Sequence, residues 1–131
     1  MSKFDRPTEI IFELARAVAS EMRASYPTWK EAFLRMQAGD GFFETKCSIV
    51  LPDSVQILDV LAHQSFVSQA QQLGSELREK LPRPNGPLWL SILRVSSNLT
   101  CDMQYEYSDP NRWRISKIGG GTGLPVGYIP A

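Results

Sequence analysis

The sequence predicts an α+β fold, an antiparallel sheet with two helices packed on one of its faces. Three observations carry that prediction. Apolar residues recur at helical spacing in two separated stretches. The segments between and after them alternate at period two. The links between neighbouring period-two segments are of hairpin length, which favours antiparallel pairing with one face open to solvent.

The elements follow in order. Over residues 7–26 apolar side chains recur at Ile11, Leu14, Ala15, Val18 and Met22, with Asp5 as N-cap, Pro7 in the first turn and Pro27 as the stop. Residues 29–38 read as a first strand, Gly39-Asp40-Gly41 as a tight turn, and residues 41–51 as a second strand with Phe43, Thr45, Cys47, Ile49 and Leu51 on one face. Pro52-Asp53 turns the chain into a third strand over residues 54–61. Helical spacing returns at Phe66, Ala70, Leu73, Leu77 and Leu81, with Ser65 as the expected N-cap. The connector Pro82-Arg83-Pro84-Asn85-Gly86-Pro87 is stiff, because proline fixes φ and removes backbone donors.

Two more strands are expected over residues 88–95 and 99–107, joined at Ser96-Ser97-Asn98, and a short closing strand over residues 113–118. The order is thus α-β-β-β-α-β-β-(β). Residues 119–131 form an irregular glycine-rich tail, expected to pack back through Leu124, Val126, Tyr128 and Ile129.

Size and charge narrow the function. A chain of 131 residues, 43% of them apolar, suits a single domain spanning residues 1–131. Such a chain buries roughly two-thirds of its unfolded surface and needs neither disulfide nor metal to hold a core. Lys plus Arg and Asp plus Glu both total 14, so the net charge is zero. Nucleic-acid binding draws on a basic surplus or patch, and the sequence signals neither. The start Met1-Ser2-Lys3-Phe4-Asp5 has no apolar leader core and no apolar run reaches membrane-spanning length, so the expectation is a cytoplasmic protein with no membrane partner. Cys47 and Cys101 lack metal-binding or redox spacing and fall in apolar registers, as reduced inward-facing thiols do. Asn98-Leu99-Thr100 is a glycosylation sequon, which matters only in a secreted protein.

No motif marks a catalytic or cofactor site. The lone histidine, His63, has no nucleophile pattern around it and reads as a surface or capping residue. Cys47, Cys101 and His63 give too few ligands for a zinc site. Gly119-Gly120-Gly121-Thr122-Gly123 runs into Leu124-Pro125, whereas a phosphate loop needs its Lys, its Ser or Thr and a following helix. The expectation is a non-enzyme without cofactor or metal. The last strand aligns Asp102, Gln104 and Glu106 on one face, extended by Asp109 and by Glu44 of the second strand. With the helices on the other side, this row is expected on an uncovered face. It reads either as a solvated sheet surface or as a carboxylate strip for a basic protein partner. Trp29, Trp89 and Trp113 are read as core or strand-edge packing.

The layout resembles the YezG-like family of bacterial immunity proteins, from polymorphic toxin and contact-dependent inhibition systems. The residues that carry the resemblance run from Glu13-Leu14-Ala15-Arg16-Ala17 to Tyr26-Pro27-Thr28-Trp29-Lys30-Glu31-Ala32, then from Leu77-Arg78-Glu79 through Leu88-Trp89-Leu90 to Tyr105-Glu106-Tyr107-Ser108-Asp109-Pro110. The second block matches the family's helix, Trp-bearing strand and strand ending in a Tyr-x-Tyr acidic turn. The glycine-rich tail departs from that pattern. The resemblance implies an antitoxin that binds and neutralises a cognate toxin domain, often a nuclease, and carries over no binding residue. The alternative is a chaperone of the type III secretion kind, similar in size and in its helices on a twisted sheet. Such chaperones are usually acidic dimers, and the zero net charge weighs against that reading. An enzymatic or small-molecule-binding α+β domain is the third class.

Overall fold

The computed structural model describes residues 5–82 and 86–130. Helix α1 (Arg6–Ser25) is followed by strands β1 (Glu31–Gly39), β2 (Phe42–Val50) and β3 (Val55–Ile57), helix α2 (Gln64–Lys80), and strands β4 (Trp89–Ser96) and β5 (Cys101–Glu106). The expected α+β architecture is present, with every strand pairing antiparallel in a sheet ordered β3-β2-β1-β4-β5. The first hairpin grows toward β3 and the second docks on the other side of β1, so β1 and β4 are the central strands. Helix α2 is the connection that carries the chain across.

Local chemistry sets the boundaries. The Asp5 carboxylate caps α1 by accepting from the Thr8 amide at 2.9 Å, and the Tyr26 amide closes the helix onto the Met22 carbonyl at 2.7 Å. The two-residue loop Asp40-Gly41 joins β1 to β2, with Gly41 at φ +77° supplying the left-handed residue such a turn needs. Helix α2 starts earlier than the sequence indicates. A short 3₁₀ turn, Leu61–His63, leads into it, Ser65 lies inside the helix, and no side chain caps its N-terminus. Of the proline-rich connector, residues 83–85 lie outside the described residues.

Both helices pack on one face of the sheet. Ile10, Leu14, Val18 and Met22 of α1 and Phe66, Ala70 and Leu77 of α2 meet Leu34, Met36, Ile49, Trp89 and Leu93 in the main core. Arg6 staples the helices together, its Nε 2.6 Å and its Nη2 2.8 Å from the two Glu76 oxygens and its Nη1 2.9 Å from Glu13. Trp29, Trp89 and Trp113 are all buried, as their core reading requires. Cys47 is buried and Cys101 half-buried, both free thiols. Burial pushes the Cys47 pKa up to about 12 and raises that of Cys101.

The second face differs from the expectation. It is not bare, because the segment after β5 folds across it. Phe33, Leu90, Ile92 and Trp113 form a separate buried cluster there, with Val50 and Tyr128 at its margin. No closing strand forms over residues 113–118. Trp113 sits at φ +57°, a left-handed conformation that costs a bulky residue on the order of 1–3 kcal/mol and turns the chain off any ladder. The indole it buries offsets that cost.

Helix α2 packs tightly on the sheet at Gly74, where an added Cβ would lie 2.7 Å from Met36 Sδ and 2.8 Å from Phe43 Cζ. Gly74→Val is therefore expected to overpack this contact and to destabilise the fold by about 2 kcal/mol. Urea unfolding at matched m-value checks it, and an unchanged midpoint would mean that α2 stands further from the sheet.

Candidate functional site

The segment from residue 109 to 130, the strap, makes the second face of the sheet a site rather than a plane. Its anchor is Arg35 on β1, a residue only 9% exposed. The guanidinium donates from Nε and Nη2 to the Arg112 carbonyl at 3.1 and 2.9 Å, from Nη2 to the Pro110 carbonyl at 2.8 Å, and from Nη1 to Gln37 Oε1 at 3.0 Å. Burial lowers its pKa. Glu44 and Asp109 act in the opposite sense, and Arg114 adds to the lowering.

Beyond the anchor the strap folds on itself. The Gly123 amide donates to the Ser116 carbonyl at 3.1 Å and the Val126 amide to the Arg114 carbonyl at 3.0 Å. Gly121 permits this, since a Cβ there would lie 2.2 Å from the Ser116 oxygen. The glycine run is thus the crossing point of a folded loop. Of the four apolar residues expected to pack back, only Tyr128 is substantially covered, its ring edge-on to Phe33 with centroids 5.0 Å apart. Val126 and Ile129 are 67% and 74% exposed and Leu124 is at the margin, while Gly123 and Pro125 are buried in their place.

The row Asp102, Gln104 and Glu106 does share one face of β5, but the strap uses it. Asp102 accepts from the Tyr128 hydroxyl at 2.5 Å and from Gln104 Nε2 at 3.1 Å, beside its cross-strand neighbour Arg94. Gln104 also donates to the Ile129 carbonyl at 2.8 Å. Glu106 receives the Ser108 amide at 3.0 Å, the Asp109 amide at 3.1 Å and Arg112 Nη1 at 2.8 Å. The Ser108 amide, then Arg112, then the Asp109 amide hold its carboxyl down at about 2. Asp109 lies in the turn that follows and accepts from the Asn111 amide at 2.9 Å. Glu44 is apart from the other four, with β1 and β4 between its strand and β5.

Glu44 belongs instead to a cleft of about 1140 Å³ between β1, β2 and the strap. Its polar walls are Arg35, Gln37, Glu44, Lys46 and Arg114, and its apolar walls include Ile57, Leu58, Val60 and Ile115. Three cations face one carboxylate. Among the described residues neither Lys46 nor Arg114 makes an ion pair. Sequence reasoning missed this cluster because the cations are spread over β1, β2 and the strap. The available signal was an arginine inside the otherwise apolar stretch Phe33-Leu34-Arg35-Met36.

His63 is a structural tie, its Nδ1 3.0 Å from Glu21 Oε2 and its ring stacked on Tyr26. Among the described residues no three His, Cys, Asp or Glu side chains cluster as metal ligands, and no helix is long and apolar enough to cross a membrane. Comparison with known protein families and with curated proteins finds no match to this sequence.

Two outcomes test the strap. Arg35→Met removes the donors to Pro110 and Arg112 and should cost about 3 kcal/mol or more, since each of the two carbonyls loses a bond from a charged group worth about 1.5–3 kcal/mol. Trypsin should then cut at Arg112, Arg114 or Lys117 well before the rest of the fold, and resistance equal to wild type would remove Arg35 as the anchor. Glu106 has a folded pKa depressed from 4.5 to about 2, so its contribution is present above 4.5 and is lost as pH falls through about 2. Glu106→Gln should flatten the decline of stability across that window. An unchanged acid limb in thermal melts would show that the carboxylate is not bonded this way.

Proposed function

We propose that the protein is a cytoplasmic, non-enzymatic binding domain that acts as an immunity protein, holding a cognate toxin domain in an inactive complex. The observation that carries the reading is the arrangement of the second block of resemblance. Helix α2 leads to β4, which opens on Trp89, and β4 pairs with β5, which ends at Tyr105-Glu106 with Tyr107 opening the turn after it. This is the order that the family pattern prescribes. A second support is the cleft, a preformed concavity in which unpaired charges and apolar walls lie side by side and are open to a partner.

The internal bonding of Asp102 and Glu106 moves the binding surface away from the β5 row. A partner competing for those carboxylates would first have to displace Tyr128 and Arg112. The cleft carries no such cost.

Coexpression with the toxin domain encoded beside its gene tests the reading. Growth should be restored at matched expression, and a 1:1 complex should survive size-exclusion chromatography. Continued killing with both proteins soluble would sink the proposal. Copurification of a secreted effector in place of a toxin would favour the chaperone reading.

A further inference from the structure

The cleft lies against an unfinished sheet edge. Strand β3 pairs only with Ser48–Val50 of β2, and the last bond on that side runs from the Leu58 amide to the Cys47 carbonyl at 2.8 Å. An antiparallel ladder aims the backbone groups of alternate residues outward. Cys47 and Leu51 bond to the β3 side, so Thr45 and Phe43 present their N–H and C=O on the same side, past the point where β3 has turned away. No backbone partner on that side meets Thr45 among the described residues. Thr45 and its neighbours Glu44 and Lys46 all line the cleft, whose far wall is the strap around Ile118 and Gly119.

Short edge strands are normally blunted by charge, a bulge or a covering loop. Here the strap stands across the cleft from the edge and leaves a gap. An extended chain entering that gap would find backbone donors and acceptors on one side, apolar surface from Ile57 and Val60, and the unpaired cations Lys46 and Arg114. Strand addition to an open edge draws affinity from main-chain hydrogen bonds and specificity from alternate side chains. The alternate side chains fix the ligand chemistry. Residues 44 and 46 point to the second face, where the cationic surplus lies, and residues 43 and 45 to the helix face.

We propose that this cleft takes an extended acidic segment of a protein partner, added as a strand along residues 42–46 of β2, with its carboxylate answered by Lys46 and Arg114. The five residues offer roughly 17 Å of edge at about 3.4 Å per residue. The assignment rests on the immunity reading only for the identity of the partner. The cleft itself is a separate claim about chemistry.

The probe is a blocked peptide, acetyl-Thr-Val-Glu-Val-Thr-amide, titrated to millimolar concentration into the full chain and followed by amide chemical shifts. Saturable shifts are expected at Thr45, Lys46 and Arg114, with affinity at least tenfold weaker for the Gln counterpart of the peptide. Lys46→Glu combined with Arg114→Glu should cost at least tenfold as well, because both residues are exposed and paired with nothing whose loss would unfold the chain. Equal binding of the two peptides, shifts confined to β5, or saturation by inorganic phosphate with no response to peptide would each overturn the assignment. In the coexpression assay the same double variant should lose protection. If wild type and variant protect equally, the cleft is not the docking surface and the immunity reading stands. If wild type itself fails to protect, that reading falls and the peptide titration alone decides the cleft.

Discussion

A buried guanidinium organises the second face of the sheet. Arg35 leaves water with no carboxylate in contact, and its charge is met by two main-chain carbonyls and one side-chain amide. Burying an arginine this way costs desolvation, which is recovered only if the donors are satisfied. Pro110 and Arg112 satisfy them, and in doing so they fix where the strap begins. Trp113 follows directly, its ring under the Arg112 guanidinium at 4.3 Å and against Leu90 and Ile92. The polar anchor and the apolar anchor are adjacent in sequence, so both fix the start of the strap at the same point.

That coupling explains the carboxylates of β5. A row of Asp, Gln and Glu on a sheet face would ordinarily be solvated, yet each of these residues has a bond to the strap or to the turn that launches it. Tyr128 closes the far end, and its hydroxyl pKa is raised by burial and by the Asp102 carboxylate that accepts its hydrogen bond. The strap is therefore tied at both ends and folded in the middle, a construction that needs no regular secondary structure.

How much of this was legible depends on how local each signal is. Both helices, β2 and β5 follow from periodicity, because the face an element buries is written in its own residues, while β1, β3 and β4 follow from the turns that bound them. Ser65 misled because a hydroxyl before an apolar run resembles a cap, whereas the preceding 3₁₀ turn already supplies the first turn of α2. The covered second face did leave a trace. Phe33, Leu90 and Ile92 occupy the register opposite the helices, and apolar residues at both parities of a strand mean burial on both faces. Reading β5 alone, where alternation is clean, concealed this, because β5 is an edge and β4 is central. The strap itself was illegible. Its path depends on a positive φ at a tryptophan, which sterics make a costly and unexpected choice.

The cleft and the strap are one thermodynamic object. Arg114, Ile115 and Ile118 of the strap form a wall of the cleft, while Lys46 and Thr45 belong to the sheet. A ligand that bridged the two would bind only the docked state of the strap, and so at free concentration L would stabilise that state by RT ln(1 + L/Kd). The reverse also holds, since whatever loosens Arg35 from the Pro110 and Arg112 carbonyls removes a wall and lowers apparent affinity by the fraction of molecules left open. Acid acts on the same equilibrium through Glu106, whose bonds to the Ser108 and Asp109 amides hold the turn from which the strap departs. Under the proposed docking, binding strength at the cleft is set as much by residues that never touch the ligand as by Lys46 and Arg114.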